Sequence, residues 1–273
     1  GSINIVTKRP IEGTYARVTP TFISSGSYGV HLDTGTRAGA NKEWGIRFNG
    51  LARNGEVSID KGNVQTGLAA ISLDYRGERL RWSLDAITQN DFNENFRPQM
   101  TIQSTVASIP KPPDARSNWY PGTKLAQRDN TIATFVEYDL TNSLTAYAGI
   151  GYRKGENDQT FPDTRVSGFT SGVDALGNFR LINAYYDSYT KTVSGNAGLR
   201  ARFDTGPVNH SVNVVFTGDG QEAGYAYVAN TPAQSVASSI YNPAPLPLVT
   251  GVRADPSKSS DTTLTSFAIV DTM

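Results

Sequence analysis

The sequence predicts an all-β fold, an antiparallel transmembrane β-barrel. Three observations carry that prediction: apolar residues recurring at every second position, connections whose length alternates along the chain, and arginines gathered on the polar face of the alternation. No stretch of about 18 consecutive apolar residues occurs, so the sequence offers no membrane-spanning helix. A barrel strand needs only about 10 residues with every second one apolar. A mean hydropathy of −0.38 is compatible with such a wall.

Alternation is clearest where Leu144, Ala146, Ala148, Ile150 and Tyr152 interleave with Thr145, Tyr147, Gly149, Gly151 and Arg153. Leu80, Trp82, Leu84 and Ala86 alternate with Arg79, Arg81, Ser83 and Asp85. Trp44, Ile46 and Phe48 do so with Arg47 and Asn49, and Val212, Val214 and Phe216 with Ser211, Asn213 and Thr217. From Val193 to Phe203 the pattern places Arg200 and Arg202 on the polar side. Strands are expected near 13–24, 27–37, 43–54, 64–75, 79–90, 128–139, 143–154, 185–203, 207–219 and 261–272. No window has helical periodicity.

The connections sort by parity. Those after even strands are short: 38–42, 76–78, 140–142 and 204–206. Most after odd strands are long: 55–63, 91–127, 155–184 and 220–260, the turn at Ser25-Gly26 being the exception. Outer-membrane barrels alternate short periplasmic turns with longer extracellular loops. A soluble β-sandwich, the competing architecture, has no reason to. Most prolines, Pro98 to Pro256, fall in the long connections, as expected of a residue that cannot donate to a ladder. Trp44, Tyr75, Trp82, Tyr138, Tyr152 and Phe203 share the apolar face, where aromatic girdles would meet the lipid–water interfaces. Arg47, Arg81, Arg153, Arg200 and Arg202 would face a wet lumen, since burying such charges unpaired is costly.

Composition narrows function. The 273 residues contain no Cys and only His31 and His210, both within expected strands, so a Cys-based zinc site is excluded and a catalytic triad is poorly supplied. Lys+Arg and Asp+Glu balance at 25 each, which argues against nucleic acid as partner. The chain opens on Gly1 rather than an initiating Met and reads as an excerpt.

The opening Gly1-Ser2-Ile3-Asn4-Ile5-Val6-Thr7-Lys8-Arg9-Pro10 resembles the last plug strand of TonB-dependent siderophore receptors. Arg47-Phe48-Asn49-Gly50-Leu51-Ala52-Arg53 resembles the third barrel strand of ferrichrome-type members. Arg76 to Leu80 matches a periplasmic turn of that family, and Tyr241-Asn242-Pro243 a short element of an extracellular loop. The resemblance implies a partial barrel, about ten of roughly 22 strands, normally plugged by an upstream globular domain. Residues 1–12 would be the plug end and linker, and 13–273 the first part of the barrel. It further implies residence in a Gram-negative outer membrane and contact with its lipid. The cargo would be a ferric siderophore, with iron carried inside the chelate and no cofactor bound directly. Import would use energy from TonB, engaged upstream, and no enzymatic step. Cobalamin, haem or glycan cargo remains a rival within the fold; a small barrel protease is disfavoured by the position of both histidines.

A siderophore cup needs aromatic and cationic groups. The 91–127 connection offers Phe96, Arg97, Met100, Trp119 and Tyr120. The 155–184 connection offers Phe161, Arg165 and Phe169, with Tyr185 and Tyr186 following. The 220–260 connection offers Tyr225, Tyr227 and Tyr241. Each of these aromatics could instead pack loop against loop.

Overall fold

The computed structural model describes residues 7–273, so residues 1–6 of the opening string lie outside it. Nine long strands follow one another: β1 (Tyr15–Ile23), β2 (Ser27–Ala38), β3 (Trp44–Glu56), β4 (Asn63–Arg76), β5 (Leu80–Glu94), β6 (Lys124–Asp139), β7 (Leu144–Asp163), β8 (Asn178–Thr205) and β9 (Val208–Ala229). A single 3-10 turn, Pro232–Gln234, then precedes the short β10 (Val236–Ser239) and the long β11 (Ser257–Thr272). The sheet runs β1 to β9 in sequence order and then β11, with β10 branching off β8. Every pairing between these strands is antiparallel, and β1 and β11 are its two free edges. The wall is therefore an open arc of a barrel.

Register sets the two faces. Phe48, Ile71, Ala86, Ile132, Tyr152 and Val193 align across six strands. Ile71, Ile132, Tyr152 and Val193 in that row are exposed, as a lipid-facing surface must be. Trp44 lies 4.8 Å from Tyr75 and 6.4 Å from Trp82, forming an aromatic belt beside the short turns. Tyr138 and Phe203 lie near the ends of their strands at the same margin, while Tyr152 stands at the opposite one, two residues before Lys154. The turns are tight: between β8 and β9 only Gly206 and Pro207 intervene in the sequence after Thr205, with Gly206 at φ 61°, a left-handed value that favours glycine.

The expected arginine face exists, and four of its five members are paired. Arg47 meets Asp33 at 2.6 Å, Arg81 meets Asp139 at 2.6 Å and Glu137 at 3.2 Å, and Arg200 meets Glu137 at 3.4 Å. Arg153 pairs with Asp129. A further pair, Arg37 to Asp74 at 2.8 Å, is nearly sealed from solvent, at 2% and 5% side-chain exposure. The described end of the opening string crosses this inner face. Arg9 bonds Asp85 at 2.7 Å, Thr7 donates to the same carboxylate at 3.0 Å, and the Arg9 carbonyl accepts from Arg47 at 3.2 Å. Pro10 seats on Gly45, where a Cβ would come within 2.7 Å of the proline ring and 2.5 Å of Asp74.

All ten expected strands are present, but several run further than the apolar pattern. β7 continues to Asp163 rather than 154, β8 begins at Asn178 rather than 185, and β9 continues to Ala229 rather than 219. The expected 155–184 and 220–260 connections contract to 164–177 and 230–256. Phe161 and Tyr225 thus sit on strands rather than in loops. The physical reason is that lipid contact stops near Tyr152 while the ladder does not. Beyond it the outer face carries Lys154, Glu156 and Asp158, and Lys191 pairs with Glu222 at 3.0 Å, so no apolar alternation marks the strand. Pro162 also departs from the expected confinement of prolines to loops. It is the next-to-last residue of β7, opposite Asn183, where little ladder remains to disrupt.

Candidate ligand-binding site

Beyond the lipid-facing band, the inner faces of β7, β8 and β9 form an aromatic cup. Phe161 lies nine positions past Tyr152, roughly 30 Å further along the strand at about 3.3 Å per residue. Period-two geometry aims Gln159, Phe161 and Asp163 to the same side as Arg153. Register sets Tyr227 opposite Tyr186, and Tyr225 opposite Ser188, two positions along. With Arg165, these residues enclose a cavity of about 400 Å³.

The cup has a defined internal geometry. The Tyr186 ring lies 6.0 Å from both Tyr225 and Tyr227, tilted 38° and 69° to them. All three rings are exposed. Arg165 donates through Nε (3.0 Å), Nη2 (2.8 Å) and its backbone N (2.7 Å) to the Asp163 carboxylate. The Tyr227 hydroxyl donates to the same group at 3.1 Å. Burial alone would raise the Asp163 pKa, but the Arg165 bonds and the Tyr227 hydroxyl hold it below the usual carboxylate range. Burial, with Asp163 adding to it, pushes the Tyr227 phenol up to about 12.

A second cluster caps the strands. Tyr120, Val173, Phe179, Leu181 and Ile240 are buried together, with Met100, Trp119, Val236 and Leu246 packed against them. This cluster joins the 95–123, 164–177 and 230–256 connections. Backbone bonds reinforce it: Leu246 N to the Pro121 carbonyl at 3.0 Å and Gln103 N to the Val173 carbonyl at 3.0 Å. Tyr120 is 2% exposed, and burial raises its phenol above the ordinary range.

The thirteen residues named from sequence therefore divide. Phe161 and Tyr225 enter the cup with Arg165, Tyr186 and Tyr227. Met100, Trp119 and Tyr120 belong to the loop core, with Tyr120 enclosed. Arg97 stacks on Trp119 at 4.2 Å and donates to the carbonyls of Ala115 and Ser117, and the Phe96 carbonyl accepts from Thr123 at 2.6 Å. Tyr241 donates its hydroxyl to the Lys111 carbonyl at 2.7 Å, bracing two loops while half its surface stays exposed. Phe169 and Tyr185 carry Arg180 at 4.5 Å and Arg253 at 4.9 Å. Sequence reasoning passed over Asp163 and Gln159. Extending the parity of β7 beyond Arg153 would have found both.

No family model matches the chain. The ferrichrome receptor FcuA of Yersinia enterocolitica is 28% identical over 278 residues, covering 100% of this chain and 35% of that protein. The structure of BauA, the ferric preacinetobactin receptor from Acinetobacter baumannii, superposes with a TM-score of 0.83 at 26% identity, over 97% of this chain and 39% of that one. By sequence and fold, the chain resembles TonB-dependent siderophore receptors. The ferripyoverdine receptor of the Pseudomonas aeruginosa outer membrane shares the fold, with a TM-score of 0.75 at 12% identity, over 96% of this chain and 35% of that one. The chain thus spans little more than a third of the length of these receptors. Its lipid-facing band and aromatic belts sit in the outer membrane of a Gram-negative bacterium.

Proposed function

We propose that the chain is part of a receptor that binds a ferric siderophore from outside and imports it with energy relayed by TonB. Residues 1–12 would end the plug and link it to the wall, and 13–273 would build the first part of the barrel. The cup on β7 to β9 carries this reading: three exposed tyrosines, a phenylalanine and an arginine face the lumen above the lipid. Phe161 and Tyr225 would contact cargo directly. Phe96, Arg97, Met100, Trp119 and Tyr241 would contribute through their open edges, and Tyr120 by holding the loops that carry them. Iron arrives already chelated, so the wall needs neither a metal ligand set nor a covalent step, and contacts to the apolar rim and oxygen donors suffice.

The test is quenching of intrinsic fluorescence in the full-length receptor by a panel of ferric chelates, with cobalamin, haem and an oligosaccharide as competitors. Saturable quenching by a ferric chelate supports the proposal. Binding of cobalamin, haem or glycan alone replaces its cargo.

A further inference from the structure

A seam runs through the cup. β7 and β8 pair from Leu144 to Asn157 and again from Thr160 to Asp163, in one unchanged register, but Asp158 and Gln159 are not paired with Asp187 and Tyr186. The break falls between the two halves of the cavity lining. Gln159, Phe161, Asp163 and Arg165 belong to the β7 side, and Tyr186, Tyr225 and Tyr227 to the β8–β9 side. Each half stays tied to its other neighbour: Gln159 pairs with Leu125 on β6, and Tyr186 with Tyr227 on β9. Across the seam, the Gln159 backbone N–H donates to the Asp187 carboxylate at 2.9 Å instead of to a backbone carbonyl.

That carboxylate is held from the 230–256 connection. Arg253 donates to it through Nε and Nη2 at 2.5 and 2.6 Å, and the guanidinium lies 4.9 Å from the centre of the Tyr185 ring. Asp187 is 6% exposed at the side chain. The segment that carries Arg253 is fixed along its way. Asn183 donates to the Pro247 carbonyl at 2.9 Å and Asn230 to the Leu248 carbonyl at 2.8 Å. Gly251 passes so close that a Cβ there would lie 2.5 Å from Val228 Cγ1. A two-pronged bond between a guanidinium and a nearly buried carboxylate imposes geometry as well as attraction. Neither Asp187 nor Arg253 lines the cavity. Resting on the receptor reading above, we propose that Asp187 and Arg253 are positioning residues for cargo binding, which stitch the seam and hold the two halves of the cup at contact spacing. Docking of the 230–256 connection and binding in the cup then favour one another, as coupled equilibria must.

The experiment uses the full-length receptor in detergent, with a ferric tris-hydroxamate and a ferric tris-catecholate as probes. Fluorescence quenching reads binding, and hydrogen exchange with mass spectrometry reads backbone opening. Arg253→Ala should weaken the better-bound probe by roughly fivefold to tenfold. Arg253→Lys, which keeps the charge but gives one prong for two, should recover part of that loss. Asp187→Asn should reproduce the loss, and with Arg253→Lys it carries the comparison if Arg253→Ala does not fold. Without cargo, peptides spanning 156–163 and 182–188 should exchange faster in Arg253→Ala while those of β2 to β4 keep wild-type rates. In wild type, bound chelate should slow exchange across 243–253. Unchanged affinity beside a faster-exchanging seam makes the pair structural and overturns the proposal, leaving the siderophore reading standing. Weaker binding with an unaltered seam, or with faster exchange in β2 to β4 as well, also overturns it. A wild type that binds no ferric chelate of the panel above sinks the receptor reading and the proposal together.

Discussion

The Arg37–Asp74 pair on β2 and β4 offers a quantitative test of how the inner wall is held. The two side chains meet at 2.8 Å, with 2% and 5% exposure, beneath Pro10 and beside Gly45. At an effective dielectric of about 20, unit charges at that separation attract by about 6 kcal/mol, before desolvation is subtracted. Replacing Asp74 by Leu leaves the Arg37 guanidinium bonded to the Lys42 and Glu43 carbonyls but without a counter-charge. Breaking a buried pair from one side costs about 3–5 kcal/mol. Arg76, the other partner of Asp74, is half exposed and returns to water. Asp74→Leu should therefore destabilise the full-length receptor by about 3 kcal/mol or more, whereas Arg37→Leu/Asp74→Leu should recover most of that loss, since an apolar pair of similar volume no longer buries charge. The assay is urea unfolding in lipid vesicles followed by tryptophan fluorescence, with Trp44 and Trp82 as nearby reporters. A double variant as unstable as the sum of the two singles, with coupling below about 0.5 kcal/mol, would refute a mutually compensated pair.

Three further outcomes are expected. Tyr225→Ala should weaken ferric-chelate binding by roughly fivefold or more, the worth of one aromatic face, while unfolding midpoints stay put; Tyr241→Ala, which releases a loop brace, should loosen protease resistance of the loops instead. The Tyr227 phenol ionises at about 12 when folded, above its ordinary value near 10, so its contribution to stability is complete below pH ~10 and is lost as pH rises through about 12. Ultraviolet titration of wild type against Tyr227→Phe should show one late-ionising phenol missing in the variant. Finally, the isolated 273-residue chain has two unpaired sheet edges, β1 and β11, which hydrocarbon cannot satisfy. It should not refold in detergent to a heat-modifiable monomer, and a gel showing that it does would contradict the open-arc description.

What could be read from sequence depended on solvent. Where lipid bathes one face, as from Leu144 to Tyr152, apolar alternation exposes the strand directly. From Lys154 to Asp163 water bathes both faces, the alternation vanishes, and the strand is visible only through its ladder to β6 and β8. Partners of the wall arginines are equally hidden, because Arg81 and Asp139 lie 58 residues apart and meet only through the β5–β6 register. The cup's aromatics were identifiable by residue type and region. Their union, and the separation of Tyr120 into a buried core, needed the cross-strand pairing of Tyr186 with Tyr227 and the docking of three distant loops. The four-residue β10 left no periodic trace at all.

The continuation of β7, β8 and β9 beyond the lipid has a consequence for how such a receptor can change. The 28 residues of β8 would measure about 90 Å fully extended, well over the span of a bilayer even with tilt. The strands act as a turret, lifting the business end clear of the anchoring zone. The two stretches meet different solvents: hydrocarbon bathes the outer face of the lower one, and water both faces of the upper. Substitutions in the crown then leave the lipid-facing band untouched, and a cut near Lys154 and Lys191 is the natural seam at which to graft one crown onto another.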